Sequence, residues 1–523
     1  MRRLLLPFAL LFYTIFFCVL TGCKGTAEET ENTMSVQKTD DDPVYPPPPP
    51  YDFTAVAAEV HFGDILRPWD GFGFNYVETA QTMDYEAYAQ EYGGFSHLEE
   101  TEKEKVIEYV FGEDGLKVGL VKMFLDPWHQ SEAGGTFDHK TTTANMREFV
   151  RRGLQKTRAR GGDLTIITTL YGPPAYTTKQ KEMRGRDLDP AHKRDVAAYM
   201  IDWVKFLKEE EGFPVKYISL HNEGEDWHRW TVPGHTDYEG HDYNMFWPPE
   251  QVVEFLEFMP AMIEEAGLED VYVTNGEPSN WYRFSTWGHS DAIARSDQAV
   301  ENMGIITSHG FYSGNYGRWF GEHKSEGIDR LREARPDLKA WVTSTSWSNM
   351  DAFNIKEMHG NIYTAKVNAI IPWAGIQVPG EWVKGDPNPG SAFHVYKDGT
   401  LKVRRGYYFY KQITRAGQPG MGVARTMAMD SEIAVIGFAD NGTGNPDALV
   451  VTNIRNEPLK VAVRVLGTES NNFEAYRTTL APGADINAEA DEAYKSIGEF
   501  SLNEHDQIVY EAPSGSVTTF FAK

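Results

Sequence analysis

The chain has 523 residues, a formal net charge of −26 and 13% aromatic residues, including 13 Trp and 26 Tyr. That length exceeds one core of ordinary size, so a large domain with a smaller companion is expected. The negative charge argues against nucleic acid as a partner, because phosphate backbones call for basic patches, and it disfavours docking on anionic membranes.

Arg2 and Arg3 precede an apolar run from Leu4 to Leu20, which ends in Leu20-Thr21-Gly22-Cys23. A charged start, a short apolar stretch and small residues at a cleavage point read as a leader over 1–23. The tetrad resembles a bacterial lipoprotein signal, in which Cys23 is lipidated and becomes the mature N-terminus. Cys18 and Cys23 are the only cysteines, so the mature chain has no thiol for a disulfide, a Cys–metal site or Cys catalysis. Lys24 in place of an aspartate leans toward the outer membrane, at its periplasmic face or the cell surface. Residues 24–51 are acidic, polar and Pro-rich, ending in YPPPPPY, and read as a linker.

From 65 to 400, short β-rich runs alternate with amphipathic ones. The strand candidates are GFGFNYV, KVGLVKMFL, LTIITTLY, VKYISL, DVYVTN, MGIITSHGFY, KAWVTSTSW and VNAIIPWAG. Helical periodicity marks NMREFVRRGLQKTRAR, RDVAAYMIDWVKFLKEEEG and PPEQVVEFLEFMPAMIEEAG between them. Eight apolar strands separated by helices predict an α/β fold with a parallel sheet closed as a (β/α)8 TIM barrel. A doubly wound open sheet is the competing topology, but no glycine-rich dinucleotide fingerprint follows any strand. From 401 to 523 the pattern is short strands and turns: EIAVIGFA, DALVVTNI, KVAVRVLG, FEAYRTTL, DQIVYEA and SVTTFFA. Without long helices, this stretch predicts an appended antiparallel β-sandwich.

In such a barrel, functional groups sit at the C-terminal strand ends. Those ends hold Asn75 and Glu78, Asp126 and Trp128, Tyr171, Asn222 and Glu223, Glu277, His309 and Tyr312, Ser344 and Trp347, and Trp373. This polar and aromatic mouth without a basic cluster suits a neutral carbohydrate, whose ring faces stack on aromatics while its hydroxyls find polar partners. Taken singly, each aromatic fits core packing better; their shared location is the signal. There is no GxSxG elbow, Walker-A loop or HExxH helix. His221 and His228 flank Glu223, Glu225 and Asp226 in no standard zinc spacing, so no metal or organic cofactor is expected.

WDGFGFN (69–75), LYGPPAYTTK (170–179), ISLHNEG (218–224), SHGFY (308–312) and RRGYYFYKQITRAGQPGMGVART (404–426) resemble, in order, motifs of glycoside hydrolase family 30. The resemblance runs from about residue 55 to the C-terminus. It implies a barrel with a side sandwich that recruits the strand preceding the barrel, here 52–64. It also implies that Asn222 holds the sugar 2-hydroxyl and that Glu223 is the general acid/base. Asn75, Lys122, Trp128, Tyr171, Trp227, His309, Tyr312, Ser344, Trp347 and Trp373 become candidate substrate-binding residues. A rim glutamate that is partly desolvated beside other acids can keep its proton near neutrality, as glycosidic cleavage requires.

The family's seventh strand ends in W-x-T-E, whose glutamate attacks the anomeric carbon. The matching stretch here is WVTSTSW (341–347), with Ser344 at the glutamate position. A serine without an activating base cannot replace that carboxylate. Three readings remain open. Glu277 acts as base on a water and inverts the anomeric centre, with Glu225, Asp226 and Glu381 as weaker candidates; Tyr312 is the nucleophile; or hydrolysis is lost and the cleft binds glycans. Lys122 also departs from the family's arginine and lacks the planar fork. The favoured expectation is a monomeric, lipid-anchored glycoside hydrolase cleaving β-glycosidic bonds in a polysaccharide or oligosaccharide. Glu223 and Glu277 are its catalytic candidates, and it meets the membrane only through Cys23. The alternative is a non-catalytic glycan-binding lipoprotein.

Overall fold

The computed structural model describes residues 54–78, 93–227, 234, 243–315, 320–379 and 390–523. The leader with Cys23, the whole acidic linker, His228 and Glu381 lie outside the described residues.

The first strand, β1 (Val56–Pro68), is followed by eight parallel strands: β2 (Gly71–Asn75), β3 (Leu120–Leu125), β4 (Thr165–Leu170), β5 (Val215–Ser219), β6 (Tyr272–Thr274), β7 (Ile306–Ser308), β8 (Ala340–Thr345) and β9 (Ala369–Pro372). Their order is β6-β5-β4-β3-β2-β9-β8-β7. The seam between β6 and β7 is closed by a Val273–Met303 bridge and by backbone bonds from Gly304 N to Val273 O (2.7 Å) and His309 N to Pro278 O (2.8 Å). The predicted TIM barrel is thus the observed one. Covered on both faces, β2, β3, β8 and β9 are buried along their whole length, which explains their near-continuous apolar runs.

Leu120, Ile167, Ile305, Trp341, Ala369 and Ile371 fill the barrel interior. Gly73 permits that packing, since a Cβ there would lie 2.6 Å from Ile371 Cγ1 and 3.0 Å from Leu120 Cβ. Outside the strands lie α1 (Glu100–Phe111), α2 (Ala144–Ala159), α3 (Lys193–Glu209) and α4 (Pro249–Glu265). Each turns an apolar stripe inward, as with Met146, Phe149, Val150 and Leu154 of α2.

One further helix overturns the expectation that long helices end near residue 400: α5 (Arg405–Ala416). Its Tyr407, Phe409, Tyr410 and Ile413 are buried, and Tyr410 donates to Gly73 O at 2.7 Å. The helix lies within the 404–426 motif, and tertiary packing makes it the wedge between barrel and sandwich.

After a three-stranded sheet of β10 (Ile376–Gln377), β11 (Phe393–Val395) and β12 (Leu401–Val403) come β13 (Gly422–Ala428), β14 (Ile433–Ala439), β15 (Ala448–Asn453), β16 (Leu459–Leu466), β17 (Asn472–Thr479), β18 (Glu492–Ser501), β19 (Gln507–Ala512) and β20 (Ser516–Ala522). These eight and β1 form one sheet in the order β18-β17-β20-β15-β14-β13-β1-β16-β19. All pairings are antiparallel except β1 with β16. The sheet folds over on itself: Phe500 of β18 and Tyr510 of β19, from its two opposite edges, meet at 6.2 Å. Val60, Val435, Val451, Val463, Phe473 and Phe520 fill the space between. Ile436, Phe438 and Val450 on the other face join the barrel core, so β14 is buried at every position. Strand β18 escaped the sequence reading because it is a polar edge strand with no fully buried residue. Among the described residues, no helix is long and apolar enough to cross a membrane.

Candidate active site

The ladder of β5 and β6 continues past both strands. Glu277 N donates to His221 O at 2.9 Å, and Glu223 N donates to Glu277 O at 2.9 Å. Two conformational demands accompany this. Glu223 itself is left-handed, at φ 51°, which is costly for a non-glycine residue and recurs at functional sites. Gly276 has φ 80°, and a Cβ there would lie 2.2 Å from His221 Cδ2, so only glycine fits.

His309, one residue beyond β7, stands between the two glutamates. Its Nδ1 is 3.0 Å from Glu223 Oε1, and its Nε2 is 3.1 Å from Glu277 Oε2. Glu277 is fully buried and engaged on both oxygens: Thr169 Oγ1 of β4 donates to Oε1 at 2.6 Å, and Lys122 Nζ of β3 pairs with Oε2. Burial alone would raise its carboxyl, but the charges of Lys122 and His309 outweigh that and hold it at about 2. Burial would likewise pull His309 down, and its bonds to Glu223 and Glu277 more than compensate, leaving it raised. Glu223 is the more open acid, with 12% of its side chain exposed.

Ser344 completes the floor. Strict alternation from inward-facing Trp341 would turn it outward. The β8–β9 register slips between Val342 and Thr345, and Ser344 Oγ instead accepts from Lys122 Nζ at 3.2 Å and Asn75 Nδ2 at 3.3 Å. The serine therefore does meet an amine. That amine is the ammonium of a buried ion pair, which donates and cannot serve as a base.

Around this network, several buried polar atoms at strand ends have no hydrogen-bond partner among the described residues: Asn75 Oδ1, Asp126 Oδ2, Trp128 Nε1 and Asn222 Oδ1. Buried polar atoms are normally bonded, so acceptors and a donor without a bond at these strand ends are candidates for ligand contact. Trp227, four residues after Glu223 in the chain, is 48% exposed, with its ring 6.2 Å from Trp287. Tyr171 and Trp373 pack edge-on against Phe124, at 5.2 and 5.8 Å.

Other sequence candidates fall elsewhere. Trp347 is fully buried, donating its indole N–H to Trp373 O and packing on Tyr410 of α5 at 5.2 Å, so it belongs to the core rather than to a sugar subsite. Tyr312 is 44% exposed and stacks on His323 at 5.2 Å; it has the posture of a rim residue, not a buried nucleophile. Glu225 accepts from Ser279 N and Oγ and from Arg283 (2.9, 2.7 and 3.0 Å), while Asp226 lies 3.5 Å from Arg283. Both brace the loop, which removes them as bases. Glu78 is sealed against Ser96 and Asn145, and burial pushes it up to about 8. Sequence reasoning missed Thr169 and Arg283, since neither carries a motif. Among the described residues, no group of three or more His, Cys, Asp or Glu is arranged to hold a metal ion.

No family model and no curated protein matches the sequence. Solved structures do match in fold. A GH30 endoxylanase from Clostridium papyrosolvens C71 is 16% identical, with a TM-score of 0.61 over 89% of this chain and 100% of that one. An endo-β1,6-glucanase is 14% identical, with a TM-score of 0.60 over 89% and 94%. A conserved exported protein from Bacteroides fragilis is 13% identical, with a TM-score of 0.65 over 89% and 100%. The chain carries the barrel-and-sandwich fold of the GH30 glycoside hydrolases.

Proposed function

We propose that the protein is an exported, lipid-anchored glycoside hydrolase that cleaves β-glycosidic bonds in a polysaccharide or oligosaccharide, with Glu223 as the proton donor. The observation that carries the reading is the placement of Glu223. It is the most open carboxyl of the network, held by His309 at a barrel mouth whose strand ends carry polar atoms without partners among the described residues. Two fold neighbours named for cleaving xylan and β1,6-glucan support a β-glycan substrate, and the 1–23 leader with Cys23 supports export and anchoring. Asn222, Asn75, Trp128 and Trp227 are assigned to sugar contacts.

Glu223 protonates the leaving oxygen as the C1–O bond breaks, and water adds to C1. Glu277 is not given the role of base on that water. In-line hydrogen bonds of normal length across an imidazole place its carboxyl about 8 Å from that of Glu223, a separation suited to inversion. The imidazole fills the gap, however, and both Glu277 oxygens are engaged. Glu277 becomes the buried counter-ion of Lys122 and His309. One observation favours the second reading, a non-catalytic glycan binder: Ser344 occupies the nucleophile position, with Lys122 and Asn75 closed around it.

The test is incubation of the protein and its Glu223→Gln variant with plant, algal and fungal polysaccharides. Sugar release by wild type that drops roughly 10²–10⁴-fold in the variant supports hydrolysis. Binding without any release establishes the binder. Anomeric NMR of fresh product then separates inversion from retention.

A further inference from the structure

Protonation at Glu223 is linked to a second group. We propose that His309 is a positioning residue that keeps one proton in the hydrogen bond it shares with Glu223, with Glu277 and Lys122 anchoring it from behind. The inference rests on the reading of Glu223 as the acid.

The argument is one of donors and acceptors. An ionised carboxylate only accepts, and each imidazole nitrogen either donates or accepts. Glu277 has a lysine ammonium and a threonine hydroxyl on its oxygens in a fully buried site, so it is ionised. Its 3.1 Å contact with His309 Nε2 is a hydrogen bond only if Nε2 carries the hydrogen. That fixes the tautomer and leaves Nδ1 facing Glu223 Oε1 at 3.0 Å.

This second contact can be a hydrogen bond in two ways. Either Nδ1–H of an imidazolium donates to a Glu223 carboxylate, or a Glu223 carboxyl donates to a neutral Nδ1. Both contain one proton. With none, a nitrogen lone pair would face an anionic oxygen in a buried place, which is costly. The pair therefore titrates as a unit, and the proton is retained until the solution is well above the usual carboxylate range. The raised position of His309 agrees with this.

The charged or titratable side chains facing this imidazole among the described residues are few. They are Glu223 beyond β5, Glu277 beyond β6, Lys122 behind Glu277, and His221, which burial keeps neutral. In turnover, Glu223 gives its proton to the leaving oxygen as C1–O breaks. The water that adds to C1 returns a proton to the pair, so the site ends as it began.

The test does not need a substrate. Long-range ¹H–¹⁵N NMR of the ¹⁵N-histidine-labelled full chain reads the tautomer and midpoint of His309, assigned by its loss in His309→Asn. Expected are a hydrogen on Nε2 throughout and an Nδ1 midpoint above the ordinary 6.5. Glu223→Gln, whose amide can donate to Nδ1, should lower that midpoint by about one pH unit or more. Glu223→Met, which leaves no acceptor at all, should do the same and serves if the first variant fails to fold. A bare Nε2 in the neutral form overturns the proposal, as does a midpoint unmoved by the Glu223 variant that folds. Sugar release is measured separately, so failure of the hydrolase reading leaves the NMR outcome intact, and the reverse also holds.

Discussion

Replacing Lys122 by methionine removes the ammonium from a sealed carboxylate while keeping an unbranched side chain of similar reach. In the native protein the Glu277 carboxyl stands at about 2 against an ordinary 4.5. At about 1.4 kcal/mol per pH unit, that difference represents roughly 3 kcal/mol on the carboxylate's side, part of which is offset by the burial that lowers Lys122. Because the folded-state value is depressed, this stability is fully present above the ordinary value and is lost as the pH falls toward 2. Without the ammonium, burial dominates and the sign reverses: the folded state then favours protonated Glu277. The Lys122→Met variant should lose about 3 kcal/mol at pH 7, at the low end of what breaking a buried pair costs. The deficit should shrink to below about 1 kcal/mol near pH 4.5 as the freed carboxyl takes up a proton. Guanidinium unfolding followed by tryptophan fluorescence at the two pH values measures both numbers, and adding Glu277→Gln should recover most of the neutral-pH loss. An equal deficit at both pH values, or no recovery in the double variant, would refute the ionised pair as the floor of the site.

Glu78 has the opposite sign: burial raises it to about 8, so the stability it permits is complete below about 4.5 and erodes as the pH climbs. Wild type should fall relative to Glu78→Gln by roughly 3 kcal/mol between pH 4.5 and 7, and parallel stability curves would contradict the assignment. Gly276→Ala meets both a left-handed backbone and His221, and should cost roughly 3 kcal/mol or more in thermal unfolding. Trp227→Ala should weaken glycan binding about two- to tenfold in titration calorimetry with unfolding nearly unchanged, whereas Trp347→Ala should cost roughly 3–5 kcal/mol of stability and leave glycan affinity alone.

The eight barrel strands were legible because each is an apolar run bounded by turn residues and separated from the next by helical periodicity, a pattern set by burial on both faces. The edge strand β18 was not, because it is mostly polar and none of its residues is fully buried. Helix α5 was hidden inside the 404–426 motif, and its buried aromatics gain their role only when packed between two layers. In the site, strand-end position brought Glu223, Glu277 and His309 onto one short roster. Their wiring was not readable: Lys122 and Glu277 are 155 positions apart, and only barrel closure makes them a pair. The inward turn of Ser344 depends on a register slip, which leaves no trace in residue type.

Strand β1 has a consequence for how the chain matures. It lies between β13 and β16, so positions near 60 pair with partners near 425 and 465. Strand β1 therefore has no sheet to join until most of the polypeptide has emerged, and closing so long a loop is slow relative to local pairing. The two lobes cannot mature one after the other. Assembly ends with the earliest-made and latest-made parts finding each other, and a ribosome-tethered or C-terminally clipped chain would stall with an unzipped sheet edge.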